Sequence, residues 1–317
     1  MSPSPTSSPT FSLRQALAAF TPQLIVSDLD GTLVPKSLNM HPRVVQAVAQ
    51  LGQQQPPIPF VVATGRMYPS ALPYAQQLGL NTPLIAYQGA LVKEPSGKVL
   101  YQQFIPFAIA EELLAFASQR GFHLNLYLND ILHTPAHPVY VDEYQRTSSI
   151  EPVIVENPLA TLRALNVSPP KLVMIDNHPE HLEAMRQHLQ SQFGPDVLAW
   201  CQSRHNFLEI TAAGVNKWRA VQVLLEHWNL EPQHVLALGD EENDLSMLTQ
   251  AGLGVATANA PAAIAAQVPL VTASVDDGGS ADALAYFALS NVDRVWPEVF
   301  ALNPAMAPSF LRQASPC

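Results

Sequence analysis

Short apolar runs alternate with segments of helical spacing through the first third of the chain. Strands are predicted at residues 24–26, 60–63 and 84–87, and helices at residues 42–51 and 69–78. The first two runs end at polar residues, as is typical of buried parallel strands that stop at a loop. This stretch therefore predicts a β-α-β-α-β unit of a parallel α/β sheet.

The middle of the chain has a less regular period and predicts a separate unit. Its pattern predicts a hairpin at residues 90–103, strands at 123–128, 171–175 and 197–201, and helices at 109–120 and 179–192. These elements indicate a small sheet with helices on one face. The earlier pattern then returns, with predicted strands at 235–238, 254–256 and 270–272 and helices at 217–227 and 245–250.

We interpret the chain as one parallel α/β domain that is interrupted by an insertion, because the same strand-then-polar-turn pattern flanks the middle section on both sides. Residues 21–89 and 205–295 form the predicted core, and residues 90–204 form the inserted α+β cap domain. Residues 1–20 are rich in Ser and Pro and predict a disordered tail. Residues 296–317 predict a loop-like tail.

The composition argues against several classes of protein. The 317 residues carry 16 basic and 26 acidic side chains, a net charge of −10, which disfavours nucleic acid or an anionic membrane as the main partner. Two cysteines without CxxC spacing provide neither a disulfide framework nor a zinc ribbon. The first residues lack the features of a secretory signal. A cytoplasmic protein is therefore expected, with the oligomeric state left open between monomer and homodimer.

Polar residues follow the ends of several predicted strands. Asp28 and Asp30 follow the first strand, Thr64 and Gly65 the second, and the acidic segment 240–244 a later one. Ligands of open parallel sheets bind outside the carboxyl ends of the strands, so we expect these residues to form one site. Clustered carboxylates repel each other unless a cation neutralises them, and oxygen ligands favour a hard ion. The pattern therefore predicts a Mg²⁺ site.

An aspartate beside Mg²⁺ is suited to nucleophilic catalysis. Its carboxylate is ionised at neutral pH and needs no activating base. Attack on a phosphoryl group would form an aspartyl phosphate, which divides one hard step into two easier ones. Lys217, Thr64 and the Gly65 amide are candidate donors that offset the repulsion between carboxylate and phosphate. Asp30 is a candidate acid for the leaving oxygen and a candidate base for the attacking water.

Four ordered motifs carry this chemistry: Asp28-Leu29-Asp30-Gly31-Thr32-Leu33, Thr64-Gly65-Arg66, Lys217, and Gly239-Asp240-Glu241-Glu242-Asn243-Asp244. They resemble the motifs of the haloacid dehalogenase superfamily of phosphatases. Because the predicted cap lies between the second and third motifs, the chain most resembles the Cof-type subfamily. At the entrance to the cap, Gln88-Gly89-Ala90 departs from the Asn-Gly-Ala that this family often has.

The resemblance implies a Rossmann-like, three-layer αβα core with Asp28 as nucleophile and Asp30 as general acid and base. It implies Mg²⁺ held by Asp28, the Asp30 carbonyl and Asp240. Phosphate-binding positions are implied at Leu29, Thr64, Gly65, Lys217 and Asn243. Supporting residues are expected at Gly31, Thr32, Arg66 and Asp244, the last of which matches a residue that supports the metal waters or the lysine.

The expected function is Mg²⁺-dependent hydrolysis of a small phosphorylated metabolite through an aspartyl phosphate. The family resemblance suggests a sugar phosphate, a nucleotide or a phosphorylated cofactor, chosen by the cap. Asn125, Tyr127 and Asn129 alternate along one predicted cap strand and are candidates to face the substrate. The alternatives are a phosphomutase with a similar core, a non-catalytic phosphate-binding protein and a receiver module, whose single compact domain fits poorly with the long insertion.

Overall fold

The computed structural model describes residue 14 and residues 17–148, 150–289 and 298–306. By its internal contacts the chain divides into two compact units. The first unit consists of the residues up to Thr64, Tyr74–Pro83 and the residues from Val221 onward, and the second consists of Gly65–Pro73 and Leu84–Ala220. The second unit contains the predicted insertion, residues 90–204, and extends beyond it at both ends.

The strands are β1 (Leu24–Ser27), β2 (Phe60–Val62), β3 (Leu84–Ala86), β4 (Leu91–Lys93), β5 (Val99–Gln102), β6 (Leu124–Leu128), β7 (Ile131–Pro135), β8 (Val153–Val155), β9 (Leu172–Ile175), β10 (Leu198–Arg204), β11 (Phe207–Ala212), β12 (Val235–Gly239), β13 (Leu253–Ala256), β14 (Leu270–Val271) and β15 (Ala301–Leu302). The helices are α1 (Pro42–Leu51), α2 (Tyr68–Gln77), α3 (Phe107–Arg120), α4 (Pro138–Ser148), α5 (Pro158–Leu165), α6 (Pro179–Gln192), α7 (Lys217–Trp228), α8 (Leu245–Gln250), α9 (Ala262–Ala265) and α10 (Gly279–Phe287). Short 3₁₀ helices occur at Tyr87–Gly89, Pro232–His234, Glu242–Asp244 and Pro304–Met306.

A six-stranded sheet in the order β15-β14-β13-β12-β1-β2 forms the centre of the first unit. β1 is parallel to both of its neighbours, with Ile25 paired to Leu236 of β12 and to Phe60 of β2. All four residues of β1 are buried, as expected for a strand covered on both faces. The predicted parallel α/β core is therefore confirmed, and the carboxyl ends of β1, β2 and β12 lie at one edge of this sheet.

The second unit contains a six-stranded sheet in the order β10-β11-β9-β6-β7-β8. β6 has the sequence LNLYL, in which every second residue is leucine. Those leucines join a core cluster with buried residues of α3, α5 and α6. The alternation thus gives this sheet one apolar face, packed against helices, and one face with polar side chains.

Three details of the sequence prediction are wrong. β3 is not a third strand of the parallel sheet, since it pairs antiparallel with β4 in a separate sheet of order β3-β4-β5. Leu17 and Phe20, assigned to the disordered tail, are buried, and the Phe20 ring makes an edge contact with Phe287. Part of the predicted C-terminal loop forms β15, which pairs antiparallel with β14. The rest of both predicted tails lies mostly outside the described residues.

None of the helices in the described part of the chain is both long enough and apolar enough to cross a membrane.

Candidate active site

The residues that follow β1 form a tight turn at the carboxyl edge of the sheet. The Asp28 amide donates to the Leu238 carbonyl at 2.9 Å, which continues the pairing with β12. The Val34 amide then donates to the Leu29 carbonyl at 2.7 Å, which closes the turn. Asp28 is 5% exposed, whereas Asp30 is an exposed residue. The two aspartates thus occupy different environments, one buried and the other exposed.

Gly31 allows this turn to approach the loop after β12. Its φ of +81° is in the left-handed region, and a Cβ at this position would overlap the Asp240 carboxylate. A residue with a side chain would therefore strain the backbone and displace Asp240. The supporting role of Gly31 in the site stays a prediction.

Three buried carboxylates meet at the edge of the sheet. Asp28, Asp240 and Asp244 each offer one oxygen, and these oxygens all lie within 4.8 Å of one another. Asp240 is 4% exposed and Asp244 is fully buried. Like charges at such short range are costly in a buried environment, so the cluster requires neutralisation. Asp30, whose side chain is exposed, does not belong to this carboxylate cluster.

Asp244 organises the loop that carries Asp240. Its Oδ2 atom accepts hydrogen bonds from the amides of Asp240 at 2.9 Å and of Glu241 at 3.0 Å. Together with the Glu241 side chain it forms a capping box around the 3₁₀ helix Glu242–Asp244. The acidic segment therefore has a local structural role and also supplies two of the three carboxylates of the cluster. Asn243, in the same turn, is exposed.

Hydrogen bonds to both oxygens of Asp240 fix its orientation. Thr32 Oγ1 donates to Oδ1 at 2.9 Å, and Asn259 Nδ2 donates to Oδ2 at 3.1 Å. Asn259 also donates to the Gly31 carbonyl at 2.9 Å, and Thr257 Oγ1 donates to the same carbonyl at 3.1 Å. Sequence reasoning missed Thr257 and Asn259 as site residues. Thr257 directly follows β13 and could have been identified as a polar residue at a strand end, whereas Asn259 lies farther along the loop.

The remaining predicted site residues divide between the two units. Leu29 and Thr64 belong to the first unit and are buried, at 0% and 1% exposed. Gly65 and Arg66 are half-buried residues of the second unit, and an Arg66 guanidinium nitrogen donates to Ser70 Oγ at 3.3 Å. Lys217 begins α7 in the second unit and is 0% exposed. A fully buried lysine is unusual and indicates an ammonium held by specific partners.

The carboxylate cluster fits a Mg²⁺ ion. All three side chains offer hard oxygen donors, and donors from Thr32, Asn259 and two backbone amides hold two of the three carboxylates in place. Hard divalent ions prefer oxygen ligands of this kind, and second-shell hydrogen bonds orient them. No nitrogen or sulfur ligand belongs to this group of described residues.

Two candidate substrate-facing residues of the second unit have other partners. Asn125 is 1% exposed, and its Oδ1 accepts from Thr134 Oγ1 at 2.6 Å. Tyr127 is 0% exposed and donates its hydroxyl hydrogen to Tyr144. Asn129 lies beyond the end of β6, in the turn before β7, with a φ of +51°. Asn125 and Tyr127 alternate along β6 as predicted, whereas the placement of Asn129 on the same strand is wrong. That these residues face the substrate stays a prediction.

The fold and the site define an α/β protein with a cluster of buried carboxylates at the carboxyl edge of a parallel sheet. The chain belongs to the haloacid dehalogenase-like hydrolase family, whose model matches residues 25–284. The pyridoxal phosphate phosphatase YbhA of Escherichia coli is 26% identical over 280 residues, covering 86% of this chain and 99% of that protein. The 5-amino-6-(5-phospho-D-ribitylamino)uracil phosphatase YitU of Bacillus subtilis is 27% identical over 275 residues, covering 84% and 98%.

A solved structure supports the same assignment. The crystal structure of a Thermotoga maritima protein superimposes with a TM-score of 0.77 and 28% identity, covering 85% of this chain and 98% of that one. The protein is thus a phosphoric monoester hydrolase of the haloacid dehalogenase type, an enzyme class in which Mg²⁺ is the general cofactor.

Proposed function

We propose that the enzyme hydrolyses a small phosphorylated metabolite with Asp28 as nucleophile and Mg²⁺ as cofactor. The observation that carries this proposal is the buried cluster of Asp28, Asp240 and Asp244, whose oxygens lie within 4.8 Å of one another. A bound cation would relieve the repulsion among these carboxylates, and the cluster lies where parallel sheets bind their ligands. Bound Mg²⁺ would offset the negative charge of the carboxylates and the phosphate.

Asp28 and Asp240 would hold the ion, together with the Asp30 carbonyl, while Asp244 keeps the Asp240 loop in place. Asp28 would attack the phosphorus, forming a bond from its carboxylate oxygen as the bond to the leaving oxygen breaks. Asp30, exposed at the turn, would protonate that leaving oxygen and later accept a proton from the attacking water. The water then displaces Asp28 from the phosphorus and releases inorganic phosphate.

The phosphate would be bound by Leu29, Thr64, Gly65, Lys217 and Asn243, with Arg66 as a supporting residue. The amides of Leu29 and Gly65, the Thr64 hydroxyl and the Lys217 ammonium are donors that suit phosphate oxygens. Because Lys217 is fully buried, its ammonium group is expected to keep one orientation. These donors would stabilise the charge that moves during phosphoryl transfer.

The relatives indicate the size and chemistry of the substrate. YbhA acts on pyridoxal phosphate, and YitU acts on a phosphorylated ribitylamino-uracil. Both substrates are phosphate monoesters of small ring-containing compounds, so we propose a substrate of this class. The second unit, which includes the predicted cap of residues 90–204, would select it.

A phosphoester panel tests the proposal, measured with and without Mg²⁺ on the full chain and on Asp28→Asn. We expect Mg²⁺-dependent release of phosphate by the wild type and a loss of at least about a thousandfold in kcat for the variant, as for a removed nucleophile. Asp196→Asn is the matched control, because Asp196 is an exposed aspartate of the second unit. Substantial turnover by a folded Asp28→Asn variant would overturn the assignment.

A further inference from the structure

The polar face of the six-stranded sheet in the second unit contains a buried ion pair. Glu209 of β11 pairs in register with Val173 of β9. Lys171 precedes Val173 by two residues and therefore lies on the same face of the sheet. Lys171 Nζ and Glu209 Oε2 are 3.0 Å apart, and their side chains are only 4% and 12% exposed. Neither residue has a place in the proposed chemistry.

Lys171 uses its buried ammonium to hold a backbone carbonyl. Besides Glu209, Nζ donates to the Gly65 carbonyl at 2.9 Å. The Tyr127 ring centroid lies 5.4 Å from the same nitrogen, within cation–π range. Burial would by itself lower the pKa of Lys171, but the Glu209 carboxylate and Tyr144 outweigh it and raise that pKa. Lys171 thus stays cationic at neutral pH and makes charge-assisted bonds.

The Gly65 carbonyl belongs to the motif that is proposed to bind phosphate. The next carbonyl, that of Arg66, accepts a hydrogen bond from the Tyr87 amide at 2.9 Å. Two consecutive carbonyls of the segment after Thr64, those of Gly65 and Arg66, therefore accept hydrogen bonds from residues of the second unit. A trans peptide is planar, so a carbonyl fixed in one direction fixes the amide of the following residue in the opposite direction.

We propose that Lys171 is a positioning residue for phosphate binding. Its bond to the Gly65 carbonyl fixes the peptide between Gly65 and Arg66, which sets the direction of the Arg66 amide and limits the conformations open to Gly65. Glu209 keeps the ammonium in place. The inference rests on the proposed function, in which the Gly65 amide binds phosphate. Lys171 acts through Gly65 and needs no contact with the substrate.

The test compares Lys171→Met with the double variant Lys171→Met/Glu209→Gln in the full chain. The single variant removes the donor to Gly65 but leaves the Glu209 carboxylate buried beside an uncharged side chain. The double variant removes the donor and both charges, so it decides the question if the single variant does not fold. Lys93→Met is the matched control, because Lys93 Nζ contacts Asp130 Oδ2 at 2.7 Å in the same unit.

Two readouts are measured: the inhibition constant of inorganic phosphate, and the backbone amide resonances of Gly65 and Arg66 without ligand. Loss of a charge-assisted bond is expected to raise the inhibition constant about tenfold and to shift both resonances in the two Lys171 variants. Lys93→Met is expected to change neither. A purely structural role would lower thermal stability without this selective loss of phosphate affinity.

The outcomes separate this inference from the proposed function. If the wild type hydrolyses the panel but the Lys171 variants keep its inhibition constant and its Gly65 and Arg66 resonances, the positioning role alone is overturned. If the wild type neither hydrolyses a phosphoester nor binds phosphate, the proposed function fails, and the role of Lys171 fails with it. Altered resonances together with a raised inhibition constant support both.

Discussion

Asn259 provides a specific test of how Asp240 is held, since sequence reasoning did not identify it. Its Nδ2 atom lies 3.1 Å from Asp240 Oδ2 and 2.9 Å from the Gly31 carbonyl oxygen, while its Oδ1 accepts from the Val275 amide at 2.9 Å. Asn259→Ala removes all three bonds. We expect the Asp240 carboxylate to lose its fixed orientation and Mg²⁺ to bind more weakly.

The magnitude follows from the partners that remain. A bond to a charged acceptor contributes about 1.5–3 kcal/mol and a neutral one about 0.5–1.5 kcal/mol. Asn259 is exposed, so water replaces part of each bond, and Thr257 still donates to the Gly31 carbonyl. We therefore expect the free energy of unfolding to fall by only about 1 kcal/mol. The Kd for Mg²⁺ should rise about tenfold, as is usual when a second-shell partner of a metal ligand is removed.

Calorimetric titration of Mg²⁺ into the substrate-free chain measures this Kd directly, and the Mg²⁺ dependence of the initial rate checks it. Asn303→Ala is the matched control, because Asn303 is also a first-unit asparagine that donates to a carbonyl, that of Ala266, at 2.9 Å. It should leave the Mg²⁺ affinity unchanged. An Asn259→Ala variant with the wild-type Kd would refute the claim that this side chain orients a metal ligand.

Three further predictions concern Gly31, Thr32 and His123. Gly31→Ala should destabilise the fold by about 2 kcal/mol or more and abolish most activity, because backbone strain adds to overlap with Asp240. Gly79 also has a positive φ but has open space around it, so Gly79→Ala should lower the free energy of unfolding and leave the activity intact. Equal activity of the two variants would contradict a role for the overlap with Asp240. Thr32→Val should weaken Mg²⁺ binding in calorimetry while Thr32→Ser retains it, and equal affinities would contradict a role for the 2.9 Å bond to Asp240. Burial lowers the pKa of His123 to about 4, against about 6.5 when unfolded, so the unfolded chain binds more protons between these values. In urea unfolding, the free energy of unfolding should therefore fall by about 2 kcal/mol from pH 7 to pH 5 because of His123. His123→Gln should lack that part of the slope, and an unchanged slope would show that His123 is not buried in its neutral form.

The core motifs were predictable because their chemistry depends on strand ends. A buried apolar run followed by polar residues identifies both a strand and the edge at which it stops, and that is why Asp28 and Asp240 could be placed together. The acidic segment after β12 has the same signature. The joint burial of Asp28, Asp240 and Asp244 is the structural consequence.

Other features depend on tertiary contacts that no periodic pattern in the sequence indicates. β3 is a run of three buried residues, and such a run carries no information about strand direction, so its antiparallel pairing with β4 was not predictable. Asn259 reaches Asp240 only because the loop after β13 folds back, and no residue spacing indicates this. Lys171 looked like the first residue of an ordinary strand. Its proposed role depends on two acceptors, Gly65 and Glu209, that meet at one nitrogen, and no sequence pattern indicates this.

The central claim is that Asp28 is phosphorylated during turnover. Rapid quenching during steady-state hydrolysis, followed by borohydride reduction and peptide mass spectrometry, measures this directly, because reduction converts an aspartyl phosphate into homoserine. We expect homoserine at position 28, formed only when both Mg²⁺ and a phosphoester are present. Homoserine at position 30, or an actively hydrolysing enzyme with no modified aspartate, would contradict it.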